Sequence, residues 1–312
     1  RMFGATLVSL ATWLNPVMSE APFSNAVSMG DNREAILPHP AQTKAAAEKL
    51  EAMYKKTGKR PNIVWIVADD MGYGDPGAFG GGEIVGSATP NIDQLAAEGL
   101  KLTSTYSQPT CTPTRSAMMT GRLPARTGLV RPILAGDVIT ANPWADEFSI
   151  GAALSEAGYY TVLTGKWHVG EVEGMRPFDV GFDEFLGYYT SQKEVTQGFD
   201  ERRFPSLVLN PERLAALQNA GGKVDMYHGR KGEGETIAEK TTSLEQFAEA
   251  DHTLAAFSIE RIKTLSEGDK PFFILHNFMR VHADNFASKA FKGKSKAKYQ
   301  YRDNVVEVDA HV

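Results

Sequence analysis

The chain has 312 residues, 42% hydrophobic and 23% charged, which excludes a disordered or low-complexity polypeptide and suits one large α/β domain or two ordinary ones. Lys plus Arg number 33 against 38 Asp plus Glu, a net charge of −5 that gives no support for nucleic-acid binding. The single cysteine, Cys111, rules out an internal disulfide framework and a cysteine-rich zinc site.

Arg1 and Met2 precede an apolar run, Phe3 to Leu14, followed by the small residues Ser19 and Ala21. This order describes a secretory signal peptide, so residues 1–21 are read as its remnant and the protein as exported, to the periplasm or the extracellular space. The run is too short for a stable membrane span, which needs roughly 20 apolar residues. Residues 22–58 form a polar lead-in with one helix, Ala41 to about Lys56. A different texture begins after Pro61. Asn62–Ala68 is a nearly continuous apolar, β-branched run that predicts a strand buried on both faces, ending in Asp69–Asp70 and the glycine-rich Met71–Asp75. Thr89 and Pro90 open a helix that Gly99 stops. Lys101–Ser107 reads as a short strand. Thr112 and Pro113 suit a second helix start with Cys111 at its N-terminus, and Gly121 suits its end.

Further on, Ser149–Ala157 predicts a helix and Tyr159–Thr164 a strand. Gln192–Glu249 has no legible period. A long helix, Ala250–Ser266, precedes the apolar strand Pro271–Phe278, and Tyr301 opens an amphipathic helix with apolar residues at 301, 305 and 308. The rhythm is that of an α/β sheet covered by helices on both faces, with 59–312 as its domain. Ligands in such sheets sit at the carboxyl ends of the strands.

Those ends carry Asp69–Asp70, Cys111, Gly165-Lys166-Trp167-His168 and Arg280-Val281-His282. Adjacent carboxylates repel unless a cation or a proton relieves them, and hard divalent ions such as calcium prefer oxygen ligands. A helix N-terminus favours anions, and the Arg115 guanidinium, about one turn on from Cys111, can grip a tetrahedral oxyanion. A thiol-phosphatase loop would need arginine six places after the cysteine, where Ala117 stands. Taken singly, a lysine or histidine after a strand reads more simply as a surface residue, and Trp167 as packing. The lysines at 289, 292, 294, 296 and 298 read most simply as a solvated loop, and His228, His252 and His276 show no ligand spacing.

Cys111-Thr112-Pro113-Thr114-Arg115, followed by Thr120-Gly121-Arg122, matches the sulfatase signature Cys-x-Pro-x-Arg…Thr-Gly-Arg. From about Pro61 to Val312 the chain resembles type I, arylsulfatase-like sulfatases, with Asn62–Asp70, Thr89–Asp93, Gly165–His168 and Gly181–Asp183 in the family's order. The resemblance implies an alkaline-phosphatase-like fold, a mixed and largely parallel sheet sandwiched by helices. It also implies hydrolysis of a sulfuric ester on a small molecule or polysaccharide. Cys111 would be converted by a maturation enzyme to formylglycine (3-oxoalanine), whose hydrate supplies the nucleophile. Calcium, in preference to magnesium, would be held by Asp69, Asp70 and the modified Cys111. Arg115 would steady that group, Lys166 would bind sulfate oxygens, His168 would take a proton during release, and His282 would bind the substrate and protonate the leaving alcohol. Ser191 falls near a substrate-binding serine of the family.

The family's later Asp-Asn metal ligands, second lysine and small C-terminal domain have no counterpart here. The 312 residues alone are therefore expected to be inactive or nearly so. A phosphate or phosphonate ester hydrolase of the same superfamily, or a non-catalytic fragment, are the alternatives.

Overall fold

The computed structural model describes residues 39–135, 137, 142–212, 215 and 223–312. The apolar run Phe3–Leu14 lies outside them. The chain divides into two compact units, 1–61 and 62–312. In the first, Pro40–Thr57 (α1) is a solvent-exposed helix with proline in its first turn, lysines in its last, and Gly58 at φ 69° closing it.

The second unit is built on a six-stranded sheet: Ile63–Val67 (β1), Tyr160–Lys166 (β2), Glu184–Tyr188 (β3), Met226–Arg230 (β4), Gly234–Glu239 (β5) and Phe272–Asn277 (β6). Their spatial order is β1-β6-β2-β3-β4-β5. The first four in that order pair parallel, and β4 and β5 pair antiparallel. The described helices are Pro90–Glu98 (α2), Cys111–Thr120 (α3), Pro124–Thr127 (α4), Ile150–Glu156 (α5), Gln192–Thr196 (α6), Pro205–Val208 (α7), Leu244–Ala248 (α8), Ala250–Ser266 (α9) and Gln300–His311 (α10). This is the mixed, largely parallel α/β sheet expected.

Alternation along the strands divides the core into two faces. Leu163, Phe185, Phe273 and Leu275 face Trp144, Trp167 and Phe182. Val162, Phe272 and Ile274 face Phe257, Ile262 and Leu265 of α9. Trp167 is packing, as expected, stacked on Trp144 with ring centroids 5.8 Å apart. Gly165, at φ 93°, is required where β2 meets β6: a Cβ there would lie 1.7 Å from the Asn277 carbonyl oxygen.

Three expectations need correction. β1 is an edge strand with alternating burial; Val64 and Ile66 remain 44% and 37% exposed. An unbroken apolar run does not reveal that only one of its faces will be covered. Lys101–Ser107 forms no strand, because this exposed stretch finds no ladder partner among the described residues, so Cys111 follows a loop and not a strand end. Gln192–Glu249 is not wholly irregular: it contains the β4–β5 hairpin and α6, α7 and α8.

His276 on β6 is buried between the Ser258 hydroxyl, 2.8 Å from Nδ1, and the ring of Phe278. Burial, aided by His311, lowers its pKa from 6.5 to about 4. The unfolded chain binds this proton more readily, so its contribution to stability is complete above pH 6.5 and declines as pH falls toward 4. The total decline is on the order of 3 kcal/mol. Urea midpoints measured at pH 7.5 and 5 should fall accordingly, and His276→Asn should remove most of that difference; an unchanged slope would refute the assignment.

Candidate active site

The β1–β6 pairing continues past the ends of both strands. Phe278 N–H donates to the Val67 carbonyl at 2.9 Å and Asp69 N–H to the Arg280 carbonyl at 2.8 Å. Asp69–Asp70 and Arg280–His282 are thereby set side by side. Asp70 and His168 both adopt left-handed backbone, at φ 60° and 58°. That conformation costs side chain-bearing residues about 1–3 kcal/mol and clusters at functional positions. Lys166 is the last residue of β2, with its carbonyl accepting from Asn277 Nδ2 at 2.9 Å and from Arg115 Nη1 at 2.7 Å.

Helix α3 docks onto this end of the sheet through Arg115 and through Thr112, whose hydroxyl donates to the His168 carbonyl at 2.7 Å. The docking carries Cys111, at the helix's first turn, to the Lys166 ammonium, with Nζ 3.3 Å from Sγ. The same ammonium donates to Asp69 Oδ2 at 2.6 Å, while Arg115 Nη2 reaches Asp69 Oδ1 at 3.2 Å. Lys166 is 0% exposed, and Asp69 and Arg115 are buried with it. His282 Nε2 lies 3.7 Å from Asp70 Oδ2, beyond a direct hydrogen bond.

Burial pushes the Asp69 carboxyl up, but Lys166, Arg115 and His282 outweigh it and hold the group well below the usual carboxylate range. Burial also raises the Cys111 thiol, with Asp69 and Asp70 adding to the effect and Lys166 and Arg115 opposing it. An unmodified Cys111 is therefore a thiol at neutral pH and a poor nucleophile. Burial, then Lys166 and Arg115, lower the His168 pKa well below 6.5, against weaker opposition from Asp69 and the Ile133 backbone. A neutral imidazole with both ring nitrogens lacking a well-aligned partner can accept a proton from a group placed beside it.

Of the expected site residues, Asp69, Cys111, Arg115 and Lys166 form one contact network, His168 joins it through Thr112, and Asp70 faces His282. Among the described residues, Asp69, Cys111 and His282 are the group of three potential metal ligands, with ligand atoms within 4.8 Å of one another. Ser191 sits after β3, but its hydroxyl is turned to Glu194 in a capping box at the start of α6. Its neighbour Gln192 reaches the site instead, donating to the His282 carbonyl at 3.0 Å. Sequence reasoning missed Gln192, which had no signal. Asn277 had one, as a polar residue near the end of an apolar strand. The lysines at 289, 292, 294, 296 and 298 are exposed, and Asp303 accepts from Gly293 and Ser295 N–H groups.

The family model described as Sulfatase matches residues 61–310. Among curated relatives, N-acetylgalactosamine-6-sulfatase of Canis lupus familiaris is 31% identical over 261 residues, covering 81% of this chain and 45% of that protein. The solved PsFucS1 sulfatase from Pseudoalteromonas sp. is 45% identical with a TM-score of 0.85, covering 93% of this chain and 57% of that one. The structure of Ps i-CgsB in complex with k-i-k-neocarrahexaose is 25% identical with a TM-score of 0.63, over 80% of this chain and 53% of that one. The chain spans about half the length of the curated relatives it matches. Fold, motif and relatives agree: the chain belongs to the sulfatase family.

Proposed function

We propose that this chain carries the catalytic centre of a sulfuric ester hydrolase in which Cys111, matured to formylglycine, is the nucleophilic position. The observation that supports it most is that the Lys166 ammonium lies within 3.3 Å of both Asp69 and Cys111, the latter at the start of the helix bearing Cys-x-Pro-x-Arg. Formylglycine would supply a hydrated carbonyl oxygen in place of a thiol whose pKa is raised. Lys166, held by Asp69, offers its ammonium to sulfate oxygens, and Arg115 fixes both Asp69 and the Lys166 backbone. His168, neutral and buried, would take a proton, and His282 would give one to the leaving alcohol.

The donors present suit a hard cation. Asp69 and Asp70 offer carboxylate oxygens, and Asp70's side chain is 57% exposed. Calcium bound there would polarise a sulfate oxygen as a Lewis acid; magnesium fits the same donors less readily because it demands near-ideal octahedral geometry. Two carboxylates and one oxygen at position 111 fall short of the roughly 6–8 oxygens calcium takes. Among the described residues no Asp-Asn pair completes them, since Asp284 is paired with Arg203 and Asp303 with backbone. For that reason the 312 residues alone are proposed to be nearly inactive.

A sulfated carbohydrate is the substrate class we favour, as one similar structure holds a neocarrahexaose. Export is supported by the N-terminal pattern, and no described helix is long and apolar enough to cross a membrane. A maturation enzyme for Cys111 is the partner this chemistry requires.

The test has two readouts on the full-length protein, expressed with a maturation enzyme. Mass spectrometry of the Cys111 peptide should show loss of sulfur and gain of the aldehyde. Turnover of an aryl sulfate should exceed that of the matched phosphonate ester by at least tenfold. An intact thiol in a fully active protein, or a preference for the phosphonate, would overturn the proposal.

A further inference from the structure

Beside the catalytic cluster lies a cavity of about 690 Å³ that the ester chemistry above does not use. Its walls are Asp200, Arg202, Arg203, Asp284, Lys298 and Tyr299, with Tyr301 at one side. Small-molecule sites commonly occupy about 300–1,000 Å³. The lining carries three cationic side chains against two carboxylates, in a chain whose net charge is −5. An excess of positive charge here runs against the balance of the whole molecule.

Each arginine is paired with a carboxylate. Arg202 binds Asp200 through Nε at 2.9 Å and Nη2 at 3.2 Å, and its guanidinium lies 5.1 Å from the Phe286 ring. Asp200 itself is buried. Arg203 donates through Nη1 to Asp284 Oδ2 at 2.6 Å and lies over Phe204. A guanidinium has five N–H donors, so each keeps donors beyond those its carboxylate occupies, in a planar fork suited to sulfate or carboxylate. Tyr299, 64% exposed, adds a flat apolar surface beside these donors.

The cavity also adjoins the reacting centre. Asp284 is two residues beyond His282 on the same loop. Tyr301 accepts from Gly72 N–H at 3.3 Å, two residues beyond Asp70. On the functional reading above, on which this step rests, His282 protonates the departing alcohol. The loop that carries His282 therefore also supplies a wall of the cavity, through Asp284.

We infer that the cavity between the His282 loop and the N-terminal end of α10 binds the saccharide portion of the substrate, with Arg202, Arg203 and Lys298 receiving a second anionic group and Tyr299 packing on a sugar ring. The substrate is then a polyanionic oligosaccharide, sulfated at more than the ester being cleaved. The donors left free on the arginines favour an anionic glycan over a neutral one, which forms no charge-assisted pair with them.

Binding by the full-length Cys111→Ala protein, which cleaves no ester, separates this inference from the catalytic one. A sulfated galactan tetrasaccharide should bind in calorimetry, and its fully desulfated counterpart at least tenfold more weakly. Tyr299→Ala and, separately, Arg203→Ala should each weaken the sulfated ligand about tenfold without moving the thermal midpoint of the Tyr299 variant. Equal affinity for the two tetrasaccharides overturns the inference, as does undiminished binding by Tyr299→Ala, which would mark diffuse attraction to exposed lysines. Failure of the wild-type protein to hydrolyse any sulfate ester would instead refute the function proposed above, and would be seen in a different measurement.

Discussion

On the function proposed above, Cys111→Ala is expected to lower ester hydrolysis by the full-length protein by about 10³-fold or more while leaving the fold intact. A nucleophile acting in concert with its neighbours has no partial substitute, so its loss costs the covalent route as a whole. The structural cost is small because the thiol is only half-buried and its hydrogen bond is with Lys166. Truncating it should change stability by no more than ~1 kcal/mol. Steady-state kinetics with an aryl sulfate, paired with a urea titration, tests both halves. A variant retaining a tenth of wild-type kcat would show that position 111 does not carry the reaction.

The largest loss of stability is expected from Asp251→Ala, at a position outside the expected site. Asp251 lies at the start of α9, fully buried, and accepts from Met279 N–H at 2.8 Å and Arg280 N–H at 3.0 Å. It also faces the Arg280 guanidinium, which is 0% exposed and otherwise donates to the carbonyls of Ala248 and Phe286 at 2.8 and 3.1 Å. Removing the carboxylate strands a buried cation and two backbone donors. Breaking a buried pair from one side costs about 3–5 kcal/mol. Urea unfolding should report that loss with an unchanged m-value. Asp251→Leu combined with Arg280→Met should recover much of it, because neither charge is then left alone. A loss below ~1 kcal/mol for the single change would contradict the pairing. Because the Arg280 carbonyl holds the Asp69 amide, loosening this anchor should also raise KM.

These two sites show what could be read before folding and what could not. The cysteine signature is contiguous, and its meaning lies in local geometry: a helix start, a proline in the first turn and an arginine about a turn on. Strands β2 and β6 were legible for a similar reason, since burial between two helical layers demands apolar side chains at successive positions. Asp251 is an acid in the first turn of α9, a position that carries no further signal in the sequence. Its importance arises only when α9 lies across β6 and the backbone beyond that strand turns its N–H groups inward.

What the sequence determined alone was the family, the strand-and-helix rhythm, and the identity of the groups at the strand ends, because each is written in neighbouring residues. Only tertiary structure decided which of these groups touch. Asp69 meets Lys166 across 97 positions of chain, and Gln192 rather than Ser191 reaches the His282 carbonyl across 90. It also decided that β1 has one open face and that Lys101–Ser107 stays unpaired. Contact, exposure and ladder pairing depend on what a distant segment brings to a surface, and a short run of residues carries no record of that.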